Sequence, residues 1–196
     1  DAIHNLFCRQ SDKAPSKEEL RESQLQATQV LAGFCPKAIV KKFSLLVSDC
    51  TANPRVYAKT VEDRSYVHAP NPVSGQKPIT IGHQYSYAAL LPEDEKDKKS
   101  HWIVPLSVRR VHSYEKGHEI GILQMRELIE STWLKESLCV SVMDSAYSTP
   151  FCNQAVGKVP CWVNIVRMRS NRTLYRQAEK LPKEERKKGG KGRGRG

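Results

Sequence analysis

Two stretches of the chain are built alike, and together they constrain its fold more than any other feature. Phe43-Ser-Leu-Leu-Val-Ser-Asp49-Cys-Thr51 and Leu138-Cys-Val-Ser-Val-Met-Asp144-Ser-Ala-Tyr147 each run through apolar residues and reach their first acid where that pattern stops. Short runs rich in Val, Leu and Met read as buried strands. Both acids then sit at strand ends, rigid places from which to aim a functional group. If the two strands are neighbours in one sheet, Asp49 and Asp144 meet over a common point. Facing carboxylates repel unless a cation lies between them, and oxygen donors with few nitrogen or sulfur competitors suit Mg²⁺ or Mn²⁺. Such a pair points to metal-dependent phosphoryl transfer. The plainer alternative is that each Asp caps a strand end, since Asp is common in turns.

A chain of 196 residues has room for one α/β domain with appendages. Its mean hydropathy is −0.56, and no apolar run approaches the roughly 18–20 residues that cross a bilayer. A soluble, cytoplasmic protein is expected, with no membrane partner. The start, Asp1-Ala-Ile-His-Asn-Leu-Phe7, has neither a basic nor a long apolar region, so no signal peptide is expected. It also lacks an initiator Met, which reads as a processed chain or a fragment. The six cysteines, at 8, 35, 50, 139, 152 and 161, include no C-x-x-C pair. They read as reduced and structural. His112 and His118 come nearest to a zinc spacing but have no second pair.

The net charge of +11 is unevenly spread: residues 180–196 hold eight Lys/Arg against two Glu, more than half of the excess. A basic balance favours a polyanion, most often nucleic acid. The ending Lys187-Lys-Gly-Gly-Lys-Gly-Arg-Gly-Arg-Gly196 is low in complexity and is expected to be disordered.

Along the chain, Ser16 and Glu19 form a capping box that predicts a helix to about residue 34, its apolar face drawn from Leu20, Ala27, Leu31 and Phe34. The run Thr51 to Lys59 reads as a turn leading to a short strand. Prolines make residues 68–78 a loop. Ile79–Leu91 and His101–Val108 read as strands, with Pro105 marking an edge or a bulge. A helix is predicted over Gly117–Ser137 from Ile122, Ile129 and Trp133, then the strand ending at Asp144, and a fifth strand over Cys161–Val166.

Three antiparallel strands, a helix and a parallel strand, with Asp on the first and fourth strands, resemble the ribonuclease H-like fold. More narrowly, the chain resembles the catalytic core of bacterial insertion-sequence transposases with an Asp-Asp-Glu triad. The resemblance rests on Ser48-Asp49-Cys-Thr51, Ile81-Gly-His-Gln-Tyr-Ser86, Met143-Asp144-Ser-Ala-Tyr147 and Arg167-Met-Arg-Ser-Asn-Arg172 with Leu174-Tyr175, and it covers about residues 40–176. It implies a mixed α/β sheet flanked by helices, incomplete at its C-terminus. It divides the chain into a helical segment (1–40), a partial catalytic core (41–176) and a basic tail (177–196). It also implies that Asp49 and Asp144 are catalytic and metal-holding, with Mg²⁺ or Mn²⁺ as cofactor. The implied partners are DNA, as element ends and target, and a second transposase chain. Arg167, Arg169 and Arg172, with Lys187, Lys188, Lys191, Arg193 and Arg195 of the tail, are the expected DNA contacts. Tyr85 and Tyr147 read as packing residues.

The chain departs from that family in one respect, since the motif pairing a Tyr, an Arg, the third acid and a Lys is not found. Glu179 stands at an integrase-like distance from Asp144, but in a polar, basic stretch without an apolar helical face. The third acid is therefore left unassigned, and residues 1–196 are expected to be impaired in catalysis. Two other readings compete: a non-catalytic nucleic-acid-binding protein whose basic tail supplies affinity, and a ribonuclease H-type nuclease that cuts without joining.

Overall fold

The computed structural model describes residues 16–37, 42–69, 78–92 and 102–168. The first described element is helix α1 (Lys17–Phe34), entered through the expected capping box. Ser16 Oγ accepts from the Glu19 amide, while the Glu19 carboxylate accepts from the Ser16 amide. Strands β1 (Phe43–Pro54), β2 (Ser65–His68), β3 (Ile79–Leu91) and β4 (Val104–Val111) follow. Then come helix α2 (Gly117–Ser131), a 3-10 turn (Trp133–Glu136), β5 (Leu138–Met143), a second 3-10 turn (Ser145–Tyr147), helix α3 (Pro150–Gly157) and β6 (Trp162–Val166).

Among the described residues the strands form one six-stranded mixed sheet in the order β2-β3-β1-β5-β6, with β4 also paired to β3. β3 is antiparallel to β1, β2 and β4, whereas β5 lies parallel to both β1 and β6. This is the ribonuclease H-like arrangement that the strand order predicts. A parallel neighbour requires a crossover rather than a hairpin, and α2 supplies it between β4 and β5.

The alternation of side chains along each strand decides which face is covered. Ser44, Leu46 and Ser48 of β1, Ser86, Ala88 and Leu90 of β3, and Cys139, Ser141 and Met143 of β5 are all buried. Ile122, Met125, Leu128 and Ile129 of α2 belong to the same core, as do Ala32 of α1, Cys152 and Ala155 of α3, and Trp162 of β6. The residues between them in sequence point to the other face. There Tyr87, Val108, Val142, Val163 and Ile165 remain substantially exposed.

The helix α1 docks by a different face from the expected one. Leu20, Leu31 and Phe34 are exposed, and Thr28, Ala32 and Cys35 are buried instead. The reason is close approach: Thr28 Oγ1 donates to Gln24 O within its own helix and lies 3.2 Å from Leu106 O of β4, a spacing that larger residues would prevent. Glu127 of α2 adds a tie between elements, pairing with Arg109 of β4 and accepting from Arg21 of α1 at 3.1 Å.

Several boundaries also move. β1 runs on to Pro54 rather than turning at Thr51, because its partner β3 is long enough to pair as far as Gly82. The short β2 pairs with the first residues of β3 and has no apolar run to announce it. Pro105 does mark an irregularity, a register shift opposite Ala88 and Ala89. The helix predicted to reach Ser137 stops at Ser131, and Thr132 caps the 3-10 turn through Leu134 N. Cys8, Glu179 and the predicted tail lie outside the described residues.

The loop before β2 is fastened to the end of β4 by one acid. Asp63, at a positive φ of 54° that Asp tolerates better than most residues, accepts from the Ser113 amide, lies 2.7 Å from His112 Nδ1 and pairs with Arg110. Hydrogen bonds from Ser113 and His112, with the Arg110 charge adding to them, hold its carboxyl far below the ordinary range.

Candidate active site

The pairing of β1 with β5 runs Leu45 with Val140 and Val47 with Val142. Continued by two residues, it sets Asp49 level with Asp144, on strands about 4.8 Å apart. Both acids continue the alternation of the uncovered face, Asp49 after Leu45 and Val47, Asp144 after Val140 and Val142. Both are exposed.

Each carboxylate is held by one oxygen. Asp49 Oδ1 accepts from the Cys50 amide at 2.8 Å. Asp144, still extended at φ −74° and ψ −179°, caps the following 3-10 turn, and its Oδ1 accepts from the Ala146 amide at 2.9 Å. Among the described residues, the second oxygen of each accepts no hydrogen bond. Two carboxylates on one face, each fixed through one oxygen, suit a hard cation that keeps several of its own waters. Among the described residues no cluster of three or more His, Cys, Asp or Glu forms a fuller ligand set.

Beneath the acids, on the covered face, lies a polar cluster that the sequence did not announce. Tyr147, three residues past Asp144, is 2% exposed. Its hydroxyl lies 3.3 Å from Ser48 Oγ and 3.6 Å from Cys50 Sγ, the two residues flanking Asp49. Burial pushes the Tyr147 phenol well above its ordinary range, so it is a neutral donor and acceptor. Burial likewise raises the Cys50 thiol; the hydrogen bond with Tyr147 opposes that, and the charges of Asp49 and Asp144 add to it. A thiol so protonated is no nucleophile.

Helix α2 closes over this cluster through two glycines. A Cβ at Gly117 would stand 2.8 Å from Cys50 Sγ, and one at Gly121 would stand 2.5 Å from the Tyr147 hydroxyl oxygen and 3.1 Å from Ser86 Oγ. Residues four apart share a helix face, so both close approaches fall on the side of α2 that faces β1.

Of the expected DNA contacts, Arg167 lies beside Asp144, following the strand next to β5 on the side away from β1. Its amide donates to Met143 O at 3.4 Å, just past the end of β6, and its side chain is exposed. Arg169, Arg172, Lys187, Lys188, Lys191, Arg193 and Arg195 lie outside the described residues. Tyr85 is half-buried on the uncovered face, whereas Tyr147 is a packing residue and a hydrogen-bonding one as well.

A ribonuclease H-like sheet with one carboxylate within β1 and another just past the end of its parallel neighbour β5 defines a nuclease-type α/β domain. Residues 16–196 match the family described as DDE superfamily endonuclease, and the chain belongs to that family. No curated protein matches it.

Proposed function

We propose that this chain carries the DNA-cleaving and strand-joining centre of an insertion-sequence transposase, with Asp49 and Asp144 as its metal-holding acids. The observation that supports this reading best is their alignment on one exposed face, each with an oxygen that accepts no hydrogen bond among the described residues. A bound Mg²⁺ or Mn²⁺ would supply charge stabilisation for in-line displacement at a phosphodiester. The chain's own residues do the positioning. The Cys50 and Ala146 amides fix the two carboxylates, and Arg167, beside Asp144, offers an exposed guanidinium for a backbone phosphate. The reaction on this reading is attack of water on the DNA phosphodiester, breaking its P–O3′ bond to leave a 5′-phosphate and free a 3′-hydroxyl; that hydroxyl then attacks a target phosphodiester, breaking its P–O3′ bond and releasing the target's 3′-hydroxyl.

Arg169, Arg172 and the tail residues Lys187, Lys188, Lys191, Arg193 and Arg195 supply affinity without sequence preference. Glu179 is not assigned as the third acid. With two acids in hand, residues 1–196 fold but join DNA ends poorly, because displacement with both oxygens stabilised calls for a second metal position.

The test is a short duplex incubated with the chain and Mn²⁺, read for nicked and for joined product. The expected result is weak nicking that depends on Mn²⁺ and disappears in Asp144→Asn. That substitution keeps the cap, since Asn serves at this position as well as Asp, so the melting temperature should hardly move. DNA binding with no Mn²⁺-dependent cleavage in either protein would favour a non-catalytic binding protein. Efficient joining would place the third acid within residues 1–196, with Glu179 the first to substitute.

A further inference from the structure

The two acids come from segments far apart in sequence, yet a divalent ion accepts carboxylate oxygens only within a narrow range of distance. Something must hold the Asp144 turn against β1. Backbone pairing does not reach that far, since the ladder between β1 and β5 ends at Val47 and Val142, two residues short of each acid. Beyond it, the side chain of Tyr147 spans the gap. Its phenol passes under β1 and meets Ser48 and Cys50, on either side of Asp49, from the covered face. Gly121 leaves it no room to withdraw toward α2.

We propose that Tyr147 is the positioning residue that sets the separation of Asp49 and Asp144. It touches neither metal nor DNA. It acts by clamping the turn that begins at Asp144 to the two residues that flank Asp49, so that both carboxylates are presented together on the opposite face. The proposal rests on the reading of these acids as metal ligands, and it names which buried group makes them a pair.

The test compares the full chain with Tyr147→Phe, which removes only the hydroxyl, and with Ser48→Ala, which removes one of its partners. Ser141→Ala serves as the control. It deletes a buried hydroxyl of similar standing, one that accepts from Trp162 Nε1 and donates to Asn164, but lies away from the clamp. Two readouts are used, Mn²⁺ binding by calorimetry and amide hydrogen exchange of the metal-free protein.

Tyr147→Phe and Ser48→Ala should each weaken Mn²⁺ binding by about tenfold, the lower end of what losing a partner behind a metal ligand costs. Exchange should quicken selectively at the amides of Cys50 and Ala146. Ser141→Ala should leave Mn²⁺ affinity and those two amides unchanged, whatever it does to the melting temperature. Exchange that rises evenly across the chain in Tyr147→Phe, or does not rise at Cys50 and Ala146, would overturn the clamp. So would wild-type Mn²⁺ affinity in that variant. If the unsubstituted chain binds no Mn²⁺ while exchange still responds selectively, the clamp stands and the metal reading falls.

Discussion

Replacing Gly121 by Ala separates helix propensity from packing. In an ordinary helix interior the change stabilises by about 1 kcal/mol, because Gly is the poorer helix former. Gly33, in the last turn of α1 with nothing within 4 Å of its would-be Cβ, is the unpacked reference, and Gly33→Ala should gain at most about 0.5 kcal/mol there, the low end of the mid-helix value. At Gly121 the new methyl would meet the Tyr147 hydroxyl oxygen at 2.5 Å, its ring at 3.0 Å and Ser86 Oγ at 3.1 Å. Tyr147 is pinned on its far side by β1, so the ring or the helix must shift. Overpacking of this kind costs about 1–3 kcal/mol, and a displaced phenol also loses hydrogen bonds worth about 1 kcal/mol each. With both phenol bonds lost and the propensity gain subtracted, Gly121→Ala should destabilise the chain by about 2–4 kcal/mol. In a protein of this size, at about 3 °C per kcal/mol, that lowers the melting temperature by roughly 6–12 °C. Urea melts of the wild type and both variants give the comparison directly. A Gly121→Ala protein as stable as Gly33→Ala would show that the phenol is not tightly held, and the reasoning about this cluster would fail.

Acid titration should single out Asp63. Its folded pKa lies below the ordinary value of 3.8, so its contribution is complete above about pH 4 and is lost as pH falls toward the folded value. A plot of melting temperature against pH should therefore fall below pH 4 in the wild type and more shallowly in Asp63→Asn; parallel acid limbs would rule this out. Removal of residues 180–196 should weaken binding to duplex DNA and reduce its dependence on salt, as fewer counterions are released. Fluorescence anisotropy at several salt concentrations measures both, and an unchanged salt slope would show that the tail does not touch phosphate.

Periodicity made the frame of this domain legible. The two apolar runs reaching Asp49 and Asp144 are strands, and they are neighbours; Asp144 does mark the exit of β5, but β1 runs on past Asp49 to Pro54, because its pairing with β3 continues where the apolar pattern stops. Pro105 was readable for a similar reason: a residue without an amide proton disturbs any ladder. What could not be read were features set by partners distant in sequence. Thr28 and Ala32 look like polar and small filler on α1, yet they form its buried face because Leu106 comes close. Ser65–His68 gives little strand signal and becomes β2 only because β3 offers it an edge. Tyr147 carries the same lesson into the site, since an aromatic after an apolar strand suggests packing and nothing in its own neighbourhood points to Ser48 or Cys50. The exposure of the acids was also hidden, for which face α2 covers depends on the crossover.

The parallel pairing of β1 with β5 bears on the order in which this domain can be assembled. The antiparallel strands β1, β3 and β4 are adjacent in the sheet and close in sequence, and contacts of short sequence separation form readily. Asp49 is already placed on that unit, but alone. β5 can join only after the whole of α2 has been made and folded back, a loop closure with a larger entropic cost. During synthesis the chain therefore passes through a stage in which its sheet has begun and its acid pair does not yet exist. A cation held between two carboxylates would then favour the completed sheet over that earlier stage by mass action, drawing the last strands into place.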